Sequence, residues 1–213
     1  MRNYNHIDQY SNELQKDIYP QPVDQQHTAW AHWVIRRFVK MFPNCQNVLD
    51  VGCGEAFTQP YFEEFGIEYT GITLGRQDVM KAIVQNRNVF LEDFSFITFP
   101  ENTFDLVFAR HALEHSPFPL ITLMDWHRVA KRYLCLIVPN PDYWTYVGRN
   151  HYSVMNKQQM RWLLRRTGWK IAWKHYNKYE FRYICIKHPR ISYEGWTKAP
   201  LDNKIYEDER DSP

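Results

Sequence analysis

No apolar run in the 213-residue chain approaches the roughly 20 residues that a membrane-spanning helix needs. The opening MRNYNHIDQYSNELQKDIYP also lacks the apolar core of a secretory signal. The expectation is a cytoplasmic protein with no membrane partner. Cysteine is sparse as well. Cys45, Cys53, Cys135 and Cys185 form no C-x-x-C pair, so paired-cysteine metal and redox motifs are excluded. Three of them fall in or beside strand-like runs, where small buried thiols are common. Neither an internal repeat nor a low-complexity linker is present, so the length suits one domain with a sizeable core. One last scarcity is local. From Lys157 to Arg190 the acid Glu180 stands alone among ten Lys and Arg, although the whole chain carries only +2.

What is present is an ordinary globular composition, 44% hydrophobic and 23% charged, with an unusual share of rings in eight Trp and 14 Tyr. Residues 1–42 read as a polar segment followed by a capping helix, with Trp30, Val34, Phe38 and Met41 on one side and a break at Pro43. Apolar runs then alternate with helix-like segments: NVLDV, EYTGIT, VFLED, FDLVFA and YLCLIVP on one hand, EAFTQPYFEEFG and GRQDVMKAIVQN on the other. That alternation predicts an α/β fold, a parallel sheet covered on both faces. Asn156 with Gln159 reads as a capping box, and Gly168 as a helix stop. WKIAWKH and FRYICIK read as a closing antiparallel pair, the first with one wet side. The domain is expected over 43–190, with a tail from 191 to 213.

The informative stretch is NVLDVGCGEAF. A buried strand ends in Asp50, and Gly52 and Gly54 then allow a sharp turn against which a ligand can lie. A helix is expected to start at once, its free N–H groups facing a nucleotide-like or carboxylate group. Such a turn alone also serves dinucleotide enzymes and plain structural loops.

VLDVGCGEAF, LEDFSFITFPENTFDLVFARHALEH and HYSVMNKQQMRWLLRRTGW, taken in order, resemble a class I S-adenosylmethionine-dependent methyltransferase, more narrowly the methyltransferase type 11 branch. The resemblance covers roughly residues 45 to 187. It implies a Rossmann-like, doubly wound seven-stranded sheet, mostly parallel with an antiparallel closing strand, and S-adenosyl-L-methionine as cofactor. It also implies that Asp50, Gly52 and Gly54 line the methionine end of the cofactor, with Ala56 in place of a third glycine. Asp93 would accept from the adenine amino group, Phe94 would offer its backbone N–H, and Ala109 and Arg110 would lie beside the sulfonium. Two departures stand out. Thr73 replaces the acid that usually holds the ribose, with Gln77 or Asp78 to assist. VAKRYLCLIV lacks the usual Pro-Gly-Gly turn.

His111-Ala112-Leu113-Glu114-His115 spells H-x-x-E-H, a zinc-protease motif that requires a continuous helix. Pro117 and Pro119 oppose such a helix, so no metal is expected. His111, just past the FDLVFA strand, is instead the candidate general base, or else a loop anchor. Tyr143, Trp144, Tyr146, His151 and Tyr152 are expected to form a substrate lid over the reactive end, or a surface cluster. Asn140-Pro141-Asp142-Tyr143 looks like the N-P-P-Y of amino-group methyltransferases but follows the fifth strand rather than the fourth. The expected substrate is small or nucleotide-sized. The alternatives are nucleic acid on the basic C-terminal face or a non-catalytic, cofactor-binding partner subunit.

Overall fold

The computed structural model describes residues 5–15, 25–144 and 150–188. Its centre is built from chain segments that are apolar at nearly every position, as strands covered on both faces must be. These are β1 (Asn47–Val51), β4 (Phe104–Arg110) and β5 (Ala130–Pro139). Alternate residues serve opposite faces: Val48 and Leu106 enter one core cluster, Leu49 and Val107 the other. With β2 (Glu68–Thr73), β3 (Val89–Leu91), β6 (Trp169–Tyr176) and β7 (Glu180–Lys187), the strands make one seven-stranded sheet in the order β3-β2-β1-β4-β5-β7-β6. The first five strands pair in parallel, while β7 runs antiparallel to both β5 and β6. This is the expected doubly wound α/β architecture, and its strand order reverses between β1 and β4. Ligands bind at such a switch point, outside the carboxyl ends of the strands.

Helices cover both faces. On one, α2 (Gln25–Met41) lays Val34, Ile35 and Phe38 over the sheet beside Phe62 of α3 (Gln59–Glu63) and Ala82 of α4 (Arg76–Val84). On the other, α5 (Pro119–Val129) contributes Leu123, Trp126 and Val129, and α7 (Lys157–Arg166) contributes Met160, Leu163 and Leu164. Asn156 caps α7 through a complete capping box with Gln159, as its spelling predicts. All four cysteines are buried free thiols. No helix among the described residues is long and apolar enough to cross a membrane.

Three local expectations are corrected. The polar N-terminal stretch contains a helix, α1 (Asn5–Gln15). The helix after the glycine turn begins only at Gln59, because Gly54–Thr58 form turns and Pro60 occupies the first helical turn. Finally, β6 does not keep one wet side along its length, although Lys170 is exposed. A register irregularity between Ile171 and Trp173 advances the alternation by one residue, as a bulge does. Trp169 therefore enters one core cluster and Trp173 the other, where Trp33 and Arg37 of α2 cover it at 5.6 and 5.7 Å.

Candidate active site

At the carboxyl end of β1 the backbone is left-handed at Gly52 (φ +69°), Gly54 (φ +54°) and Ala56 (φ +58°). Side chains pay about 1–2 kcal/mol for such values, which favours glycine. At Gly52 a Cβ would lie 2.7 Å from the Cβ of Ala112, so the missing side chain lets the loop after β4 close on the turn. At Gly54 a Cβ would meet nothing within 4 Å. The backbone there borders open space, which suits a ligand lying against it.

Acids and hydroxyls ring this turn. Asp50 is buried and accepts hydrogen bonds from the Thr58 hydroxyl and, at 2.8 Å, from Tyr69. Burial pushes its pKa up to about 7 against the lowering effects of those two donors and Arg110. At the end of β2 the Thr73 hydroxyl accepts from the Gly75 N–H at 3.1 Å. The Asp78 carboxylate folds back over the same turn, since a Cβ on Gly75 would collide with its Oδ2. Gln77 is exposed. Past β3, Asp93 accepts from the Ser95 N–H at 2.8 Å, and burial raises its pKa despite that bond and one from Ser11 of α1. The Phe94 carbonyl accepts from Trp126 Nε1 at 2.8 Å, and the Phe94 ring borders Gly52.

The end of β4 is different in kind. Ala109 is fully buried in register with Val51 of β1. Arg110 lies over the Phe57 ring at 5.5 Å and 3.7 Å from Glu180. His111, at φ +49°, presents Nε2 to Glu180 at 2.8 Å and Nδ1 to Glu114 at 3.4 Å, and both carboxylates are only 1% exposed. Burial alone would lower the His111 pKa, but the two carboxylates outweigh it and raise the value. For Glu180, burial is outweighed by His111, Arg182 and Arg110, which hold it at about 2. Arg182 is fully buried, donates to Glu180 and, at 3.1 Å, to His175 Nδ1, and stacks on Trp30 of α2 at 4.2 Å.

The aromatic residues divide. Tyr143, in the short α6 (Pro141–Trp144), packs edge-on against Tyr179 at 4.8 Å, beside the β6–β7 turn. His151 lies 4.9 Å from the His115 ring, and the Tyr152 N–H bonds to the Glu114 carbonyl at 2.7 Å. Tyr146 and the side chain of Trp144 lie outside the described residues. Asn140, the first letter of the N-P-D-Y spelling, directs its amide to the carbonyls of Asn177 and Lys178 at 3.3 and 3.0 Å and so anchors the hairpin.

Residues 23–173 match the methyltransferase domain family. The chain belongs to that family. It is 28% identical over 133 residues to 2-methyl-6-phytyl-1,4-hydroquinone methyltransferase of Synechocystis, covering 59% of this chain and 41% of that protein. Phosphoethanolamine N-methyltransferase 3 of Arabidopsis thaliana is 26% identical over 147 residues, with 59% of this chain and 29% of that protein covered. The chain thus spans less than half the length of these curated relatives. Among solved structures, a SAM-dependent methyltransferase from Archaeoglobus fulgidus aligns with a TM-score of 0.62 at 18% identity, covering 75% of this chain and 94% of that one.

Sequence reasoning missed Thr58, Tyr69, Ser11, Glu180 and Arg182 as parts of this site. Glu180 did carry a signal. A lone acid among ten basic residues must neutralise buried charge if it lies inside, since an unpaired buried ion is very costly. The partners of Asp50 gave none, because Tyr69 lies 19 residues away and meets Asp50 only through strand pairing.

Proposed function

We propose that the domain binds S-adenosylmethionine across the carboxyl ends of β1, β2 and β3 and transfers its methyl group to a small or nucleotide-sized acceptor. The observation that carries this reading is the left-handed turn at Gly52–Gly54, open above Gly54 and flanked by strand-end acids. The cofactor supplies an already activated methyl on a sulfonium, so the protein's task is mainly positioning. Asp50 and the glycine turn hold the methionine end, Thr73 with Asp78 takes the ribose, and Asp93 with the Phe94 N–H takes the adenine. Glu180 balances the charge of Arg110, which would otherwise repel the sulfonium. In this reading His111 anchors the loop and is not the base. Both of its ring nitrogens face buried carboxylates, Nε2 towards Glu180 and Nδ1 towards Glu114, which leaves neither directed at an acceptor.

A small acceptor is favoured over a polymer because part of the basic set is engaged by the fold's own rings and acids, although Lys157, Arg166, Lys170 and Lys178 are exposed. Lys157 lies over Tyr176 and Phe181 at 4.7 and 5.3 Å, Lys174 over Tyr176 at 5.5 Å, and Arg182 is buried. The names of the curated relatives, which act on a hydroquinone and on phosphoethanolamine, agree with this. Calorimetric titration with S-adenosylmethionine and S-adenosylhomocysteine tests the reading. Binding to the wild type that Asp93→Ala weakens sharply is the expected result. Absence of binding, or equal binding by the variant, would overturn the assignment.

A further inference from the structure

Among the described residues, one group of histidine and acidic side chains has ligand atoms within 4.8 Å of one another: Glu114, His115 and His151. The H-x-x-E-H spelling provides two of these, though not as a zinc-protease helix would. A 3-10 turn, Leu113–His115, replaces the helix. His111 faces Glu180 at 2.8 Å, and the third member comes instead from the segment after α6.

The two segments are fastened together before any ligand arrives. The N–H groups of Tyr152 and Ser153 donate to the Glu114 carbonyl at 2.7 and 3.0 Å, and the Ser153 hydroxyl donates to the Ser116 carbonyl. His115 Nδ1 lies 3.1 Å from the Asn150 carbonyl. A carbonyl can only accept, so Nδ1 carries a proton, and in the neutral ring this leaves Nε2 as the nitrogen open to a metal, the arrangement usual for a metal-binding histidine. Glu114 is 1% exposed, and neither of its carboxylate oxygens has a hydrogen-bond partner. Its nearest cation, His111 at 3.4 Å, is held closer by Glu180 at 2.8 Å. A buried carboxylate that shares its one close charged neighbour with a second acid still has room for a further positive partner. A cation between it and the two imidazoles would be such a partner.

We propose that Glu114, His115 and His151 bind one first-row divalent transition-metal ion. Two imidazole nitrogens and one carboxylate suit zinc, cobalt, manganese or iron rather than calcium or magnesium, which prefer all-oxygen sets. Three protein ligands leave open positions for water or an oxygen atom of the acceptor. That last use rests on the methyltransferase reading, under which the end of β4 is the acceptor's side.

The test is titration of chelator-treated, full-length protein with cobalt(II), followed by its visible absorption, and with zinc(II), followed by calorimetry. One equivalent per chain is expected, with intense cobalt bands of low coordination number and no comparable uptake of magnesium. His151→Gln should weaken binding more than about tenfold while melting like the wild type in chelator, and His115→Gln should do the same. Glu114→Gln, which removes a buried charge, serves only as a supporting variant. Stoichiometric binding lost in both histidine variants sustains the site. No uptake, or uptake that both variants leave unchanged, overturns it. Binding of S-adenosylmethionine, measured separately in chelator, keeps failure of the cofactor reading distinct from failure of the metal site.

Discussion

The two halves of the site use different materials. On the β1–β3 side the recognising features are backbone conformation, open space above Gly54 and two strand-end acids with raised pKa values. On the β4–β5–β7 side they are ionised side chains packed inside the fold, with Glu114, Glu180 and Arg182 almost without exposure. A backbone cradle suits a ligand whose shape is fixed, as a cofactor's is. A preformed charge network holds a loop in one geometry at the point where an acceptor has to be aligned. The sharpest way to break the contrast is to strike each half by its own means.

The largest effect is expected from Arg182→Leu. Removing this guanidinium strips Glu180 of a buried partner and Trp30 of its stacking cation. Breaking one member of a buried pair typically costs about 3–5 kcal/mol. Urea unfolding should show that loss, and the tryptophan signal should report a loosened α2. A loss under about 1 kcal/mol would mean that solvent already screens the network.

The next effect separates two glycines within the cradle. Gly52→Ala adds left-handed strain and a 2.7 Å approach to Ala112, together about 2–4 kcal/mol. Gly54→Ala adds only the strain, about 1–2 kcal/mol, but places a methyl group where the cofactor lies. The first variant should therefore lose mainly stability and the second mainly affinity for S-adenosylmethionine. Equal stability losses would show that the space above Gly54 is filled in solution.

The same contrast explains how much the sequence disclosed. The cradle is written locally. Asp50, Gly52 and Gly54 fall within five residues after an apolar run, and the strands that carry the site read directly as apolar segments. The charge network joins residues far apart, since His111 meets Glu180 across 69 positions and His115 meets Asn150 across 35. No periodicity records such pairings. The bulge that turns Trp173 to the opposite face was equally invisible, because WKIAWKH alternates regularly on paper and only pairing with β7 displaces it. The H-x-x-E-H letters were legible, but as a helix motif. The 3-10 turn changes which of them converge.

A third effect links the halves through pH. The Asp50 pKa, raised to about 7, means that the folded protein keeps a proton which the unfolded chain releases near pH 4. This contribution to stability is full below pH 4, falls as pH rises towards 7, and is gone above it. Cofactor binding should run the other way. If the methionine ammonium requires ionised Asp50, affinity should rise about tenfold between pH 6 and pH 8 and binding should release a proton. Asp50→Asn should flatten both profiles. An unchanged pH dependence in that variant would move the titration to another group.

The smallest effect is the most discriminating control. Asn156 closes a capping box with Gln159 through bonds of 2.9 and 3.1 Å at the exposed start of α7. Replacing an N-cap by alanine costs about 1 kcal/mol. α7 is held mainly by buried Met160, Leu163 and Leu164, so the helix should persist in Asn156→Ala and the melting temperature should fall only slightly. The affected turn directly follows the segment that carries His151 and Tyr152, and it lies far along the chain from the glycine cradle. Affinity for S-adenosylmethionine should therefore remain at the wild-type value. Uptake of cobalt is the quantity that can respond, because loosening the start of α7 releases one end of the segment bearing His151. A drop in cofactor affinity instead would show that the cradle and the charged half are mechanically coupled, and that their separation by material is not a separation in energy.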